Sequence, residues 1–192
     1  MKTQLLFSFF LITFTLNAED WPIWGKDGSR NMVSIETGVS FEFDPGEMSD
    51  DEIVDMQTTK NIKWVAKLGS QAYGNVTIGN GRVFVGTNNE SPRDLGKKGD
   101  RGVVMCLDEK TGELKWQLVI PKLGAGKVSD WEYIGICSSA AVEGDKVYVV
   151  TNRCEVVCLD INGLADGNDG PFKNEDEYIK PKGLSDELNT KL

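Results

Sequence analysis

Apolar and polar residues alternate along the middle of the chain in short bursts, not at helical spacing. Residues 75–88 read Asn-Val-Thr-Ile-Gly-Asn-Gly-Arg-Val-Phe-Val-Gly-Thr-Asn. Residues 139–152, 64 positions later, read Ser-Ala-Ala-Val-Glu-Gly-Asp-Lys-Val-Tyr-Val-Val-Thr-Asn. Each stretch predicts a strand, a tight turn and a second strand. Gly79-Asn80-Gly81 and Glu143-Gly144-Asp145 supply turn residues that tolerate positive φ. Val83-Phe84-Val85 and Val147-Tyr148-Val149 suit a pleated, half-buried surface. A third strand follows each pair, since Val103–Asp108 matches Glu155–Asp160 at an offset of 52. The difference, 64 − 52 = 12, is one polar insertion around Glu90–Arg101. Glu113–Leu118 reads as a fourth strand, and Trp64–Leu68 as the fourth strand of an earlier unit.

Four short strands recurring with this period predict an all-β chain built as a β-propeller of four-stranded antiparallel blades. Two blades and part of another are legible. A blade cannot cover both faces of its own sheet, and propellers close with about 4–8 blades. The expectation is therefore an N-terminal fragment of a larger ring, completed by the remaining blades or by a protein partner. The chain divides into an export segment at 1–18, an N-terminal segment with an acidic insertion at 19–60, blades at 61–163, and a loop or linker tail at 164–192.

The export segment has Lys2, an apolar run of twelve from Leu5 to Leu16, and Ala18 ahead of Glu19. Twelve residues span roughly 18 Å as a helix, too short for a hydrocarbon core of about 30 Å. A cleaved signal peptide is expected, with no stable membrane anchor, and a periplasmic or extracellular destination. The four cysteines, Cys106, Cys137, Cys154 and Cys158, then meet an oxidising compartment. Strands about 4.8 Å apart give Cys137 and Cys154 reach of each other, so they form the disulfide candidate. Cys106 and Cys158 fall at equivalent small core positions and are expected to be buried free thiols.

Composition removes several chemistries. The chain contains no histidine, which excludes Ser-His-Asp and Cys-His nucleophile systems and a histidine general base. The net charge of −9 argues against a nucleic-acid partner. Most of that charge is one run: Glu36–Asp55 holds eight acids and no base. A solvated insertion is the expected reading of it.

Cys106-Leu-Asp-Glu-Lys-Thr-Gly-Glu-Leu-Lys-Trp116 fits small-x-Asp-x-x-Thr-Gly-x-x-x-Trp. This resembles the tryptophan-docking repeat of quinoprotein alcohol dehydrogenase-like propellers, the pyrroloquinoline quinone (PQQ) repeat family. In physical terms Cys106 leaves room, Asp108, Thr111 and Gly112 make a turn, and Trp116 buries an indole against the next unit. Asp160-Ile-Asn-Gly163 is a degenerate second copy, without Thr-Gly or a following tryptophan.

The resemblance implies two functions. One is part of a quinoprotein oxidoreductase acting on alcohols or sugars, with PQQ and calcium as cofactors. The other is a non-catalytic propeller scaffold that binds protein or polysaccharide, as in outer-membrane protein assembly. Dehydrogenases of the family flank the quinone with a vicinal disulfide, and no Cys-Cys dipeptide stands here. No catalytic residue is assigned, and the expectation leans away from an enzyme. For metal, Asp160, Asn162, Asp166, Asn168 and Asp169 are hard oxygen donors among glycines, with a solvated turn as the plainer alternative. For cofactor or ligand contact, Trp131 and Tyr133 precede the inner strand of the second blade, and Tyr73 occupies the equivalent loop of the first.

Overall fold

The structure, a computed structural model, describes residues 19–124, 131–167 and 170–171. The export segment, the candidate donors Asn168 and Asp169, and the tail from residue 172 lie outside the described residues. No helix among the described residues is long and apolar enough to cross a membrane. β1 (Thr77–Gly79), β2 (Arg82–Asn88), β3 (Arg101–Asp108) and β4 (Leu114–Pro121) form one antiparallel sheet in chain order. β5 (Ala141–Glu143), β6 (Lys146–Val150) and β7 (Val156–Asp160) form a second. The all-β reading holds, and both predicted hairpins close where the turn residues placed them. Asn80 and Gly81 take φ of 52° and 73°, the paired left-handed geometry of a tight hairpin turn.

The first sheet is covered on both faces, which explains why β2 and β3 are almost continuously apolar. One face carries Phe84, Val104, Leu118 and Ile120, which pack against Ile136, Val142, Val147 and Val149 around the second sheet. The other carries Val83, Val85, Met105 and Leu107, which pack against Trp64, Ala66 and Leu68. Burying each such side chain contributes about 1.5–3 kcal/mol, so these two layers dominate stability. The stretch 62–68 keeps a strict alternation of half-buried and exposed residues. It pairs with no strand among the described residues, so it lines the sheet instead of extending it. The N-terminal segment stitches the two inner edges together. Trp21 exchanges main-chain bonds with Ile78 of β1 at 2.8 and 2.9 Å, and the Pro22 carbonyl accepts from Val142 of β5 at 2.8 Å.

Cys106 stands between two aromatic neighbours, opposite Phe84 on β2 and Trp116 on β4. The two rings meet at a centroid distance of 5.9 Å, and only a small residue fits the row between them. Cys106 is fully buried, as expected. Cys158 is not: it is exposed, because β7 has no fourth strand beside it among the described residues.

The expected bond between Cys137 and Cys154 is absent, and all four thiols are free. Cys137 precedes β5, and Cys154 sits in a turn at φ 61° ahead of β7. Neither occupies a paired strand position, so the cross-strand spacing behind that expectation does not apply to them.

Burial pushes the Cys106 thiol up to about 12. It is therefore protonated and inert throughout the neutral range. Alkylation of the folded chain at pH 9 is expected to label Cys137, Cys154 and Cys158 and to spare Cys106, as read by peptide mass mapping. Equal labelling of Cys106 would contradict the packing described here.

Candidate functional site

Two tryptophans dock in the same way. Trp64 Nε1 donates to the Glu109 carbonyl at 2.9 Å, and Trp116 Nε1 donates to the Ile161 carbonyl at 2.9 Å. Each contact spans 45 residues of chain. Each ring also lies on a glycine in the left-handed region, Gly112 at φ 74° and Gly163 at φ 63°. A β-carbon on Gly112 would come within 2.5 Å of the Trp64 ring, and one on Gly163 within 2.7 Å of the Trp116 ring. Conformation and space thus both demand glycine.

Asp108 builds the first of these turns. Its Oδ1 accepts from the amides of Lys110 at 2.9 Å and Thr111 at 3.0 Å, and from the Thr111 hydroxyl at 3.2 Å. The Thr111 amide is the main reason its carboxyl sits below the ordinary 3.8. The second turn is one residue shorter, with glycine three positions after Asp160 where Gly112 is four after Asp108. Asp160 Oδ1 accepts only the Asn162 amide, at 2.7 Å. The degenerate copy therefore keeps the docking glycine without the Thr-Gly pair.

At the opposite end of the sheets, Asn88 is a fully buried hub. Its Oδ1 accepts from the amides of Ser70 and Glu90, each at 3.1 Å. Its Nδ2 donates to Ser70 Oγ at 2.9 Å and to the Tyr133 carbonyl at 2.6 Å. The Tyr133 amide donates to Asp100 Oδ2 at 2.8 Å, and Lys122 Nζ donates to the Trp131 carbonyl. Three side chains at one end of the first sheet, Asn88, Asp100 and Lys122, thus hold the segment that carries Trp131 and Tyr133. Tyr133 is fixed at φ 54°, an uncommon state for an aromatic residue that this surrounding network enforces. The Trp131 and Tyr73 rings remain 68 % and 63 % exposed. The Tyr73 hydroxyl donates to Gln71 Oε1 at 2.9 Å, within its own loop.

The described candidate donors do not converge on a metal. Asp160 caps its own turn, and Asn162 directs Nδ2, not its oxygen, at Asp166 Oδ2 at 3.2 Å. Among the described residues no three acidic or thiol groups cluster as a metal site. A groove of about 400 Å³ lies between the two hairpin turns, lined by Asn80, Arg82, Gly144, Asp145, Ile161 and Asn162. It sits at the docking-turn end, away from Trp131 and Tyr73. The described residues therefore do not fit a quinone held over calcium, and no oxidation step is derived from them.

A family model described as outer membrane protein assembly factor BamB, a PQQ-like repeat family, matches residues 48–166. The chain belongs to this family. No curated protein matches it closely. The PQQ-like repeat match begins well before the first hairpin, inside the acidic run. There Met48 bridges Val54, and Asp55 Oδ1 accepts the Gln57 amide at 2.9 Å.

Sequence reasoning missed two features of these repeats. One is Gly163, displaced by a single-residue deletion. The other is the Thr-Asn pair that ends both aligned segments, at Thr87-Asn88 and Thr151-Asn152. Asn152 Nδ2 donates to the Pro121 carbonyl at 3.0 Å, while the Thr87 hydroxyl donates to the Gln71 carbonyl at 2.7 Å. Each pair therefore ties the end of its second strand to the segment that leads in from the preceding unit. The recurrence at 64 residues was the available signal.

Asn88→Ala is expected to lower stability by about 2–3 kcal/mol in urea unfolding, because it removes the buried acceptor of the Ser70 and Glu90 amides and the donor to the Tyr133 carbonyl. Asp108→Asn should lower Tm at pH 7. A depressed folded value gives stability that is fully present above 3.8 and lost as pH falls through that folded value. The gap between parent and variant should therefore close in acid. A constant gap would contradict the carboxylate's role.

Proposed function

We propose that the two sheets are successive blades of an exported β-propeller that acts as a binding scaffold for a protein partner. The observation that carries this reading is the repeated indole docking. One unit's tryptophan needs the next unit's glycine turn, which is how blades are joined around a ring. The matched family takes its description from an outer-membrane assembly factor, and this supports a protein partner in the cell envelope. The exposed Trp131 and Tyr73, on a loop end held by Asn88 and Asp100, offer large and rigid contact surface. The apolar run Leu5–Leu16 supports export. Completion of the ring falls to the remaining blades. Trp131, Tyr133 and Tyr73 form the partner-facing cluster.

The test is titration of the full chain with PQQ and calcium, read by tryptophan fluorescence, followed by dye-linked oxidation of alcohols and sugars. No saturable quenching and no dye reduction are expected. Saturable PQQ binding with substrate-dependent dye reduction would overturn the scaffold reading in favour of a quinoprotein. Calorimetry with calcium alone should give no heat at the Asp160–Asp166 turn.

A further inference from the structure

Arg82 opens β2 beside the tight turn at Asn80-Gly81, and its side chain is half-buried. A guanidinium carries five N–H donors. Among the described residues these find one acceptor, the Gly81 carbonyl, which Nη1 meets at 3.4 Å. Nε is buried and meets none. Asp108 stands opposite on β3, but its Oδ1 accepts from the Lys110 and Thr111 amides and its Oδ2 pairs with Lys115 at 3.5 Å. Asp145 pairs with Lys146 at 2.7 Å. A half-buried guanidinium ordinarily holds a carboxylate or several carbonyls, so this one is short of acceptors.

Arg82 lines the groove of about 400 Å³ between the two hairpin turns. That volume falls in the range of small-ligand sites. The walls are held in place by their own bonds. Asn80 Nδ2 donates to the Gly144 carbonyl at 2.6 Å and ties one turn to the other. The Ile161 amide donates to the Asp145 carbonyl at 2.9 Å, and the Asn162 amide to Asp160 Oδ1 at 2.7 Å. Buried Ile161 supplies an apolar wall. A site with ordered walls loses little entropy when it binds.

Charge sets the class of ligand. One cation short of acceptors suits one negative charge. Asp145 also lines the groove, so a dianion such as phosphate would set a second negative charge against it. A carboxylate brings a single charge and two coplanar oxygens that match the guanidinium fork. Ile161 suits an apolar stem behind that carboxylate.

We infer that this groove is a carboxylate-binding site. Arg82 holds the anion end-on through its Nη atoms, and Ile161 packs against the ligand's apolar stem. The carboxylate belongs to a free short-chain acid or to the C-terminus of a polypeptide. The site does not depend on the scaffold reading, since it lies at the docking-turn end, away from Trp131 and Tyr73.

The test is an NMR titration of the full chain with N-acetyl-leucine, whose carboxylate and isobutyl group match the two halves of the site. The backbone amides of Gly144, Asp145 and Asn162 should shift together and saturate. A Kd in the millimolar range is expected, as a ligand of about twelve non-hydrogen atoms allows. N-acetyl-leucine amide, which lacks the charge, should bind about tenfold more weakly or not at all. Arg82→Gln should weaken N-acetyl-leucine binding by a similar factor. Isocaproate is the same acid without its peptide group. Equal binding of isocaproate supports the site with a free acid as ligand, and much weaker binding supports it with a peptide terminus. The proposal is overturned by absence of saturable shifts, by shifts confined to residues outside the groove, by equal binding of the amide, by equal binding to the variant, or by tighter binding of inorganic phosphate. The amide comparison uses the unaltered chain, so it decides the matter even where the variant fails to fold.

Discussion

An indole N–H held by a main-chain carbonyl, with the ring lying on a left-handed glycine, is the contact on which the architecture depends. It occurs twice, Trp64 on the Gly112 turn and Trp116 on the Gly163 turn. Each sheet has too few strands to bury both of its faces alone. The indole links a unit to its neighbour through a large apolar surface and one oriented hydrogen bond. The register then follows. With Trp116 seated, Cys106 opposite it must be small, and Phe84 on the far side meets the indole edge at an interplanar angle of 51°. Among the described residues the second sheet has no such cover over β7, and the equivalent Cys158 is exposed.

A second set of contacts acts at the other end of the strands and is polar. Buried Asn88 and Thr87 bind the main chain of residues 69–71, and Asn152 binds Pro121. The glycine-turn end thus joins units by apolar area, and the Thr-Asn end joins them by directed hydrogen bonds. Directed bonds fix loop geometry more tightly than area does, and the exposed Trp131 and Tyr73 lie on the loops at this end. The turn end holds the groove between Asn80 and Gly144, where among the described residues no metal-ligating cluster forms.

Much of the fold was legible in residue order because hairpins are local. Gly79-Asn80-Gly81 and the flanking β-branched runs specify β1 and β2 with little help from distant residues. The docking motif Asp108-to-Trp116 was legible because every constraint in it, space, turn and ring, belongs to one short stretch. What was not legible depends on contacts far apart in sequence. Asn88 looks like an ordinary strand-end residue until Ser70, Glu90 and Tyr133 are seen around it. The proposed pairing of Cys137 with Cys154 assumed ladder positions that a left-handed turn at Cys154 and a loop before β5 do not supply.

The central claim is that the glycine turn and the indole act as one unit. A double-mutant cycle on Trp116→Ala and Gly163→Ala, measured by urea unfolding, tests it most directly. Each single change removes the same contact, so the account predicts that the pair is strongly non-additive, with a coupling of about 1 kcal/mol or more. Losses that add within about 0.3 kcal/mol would show that ring and turn contribute independently, and would contradict the docking account.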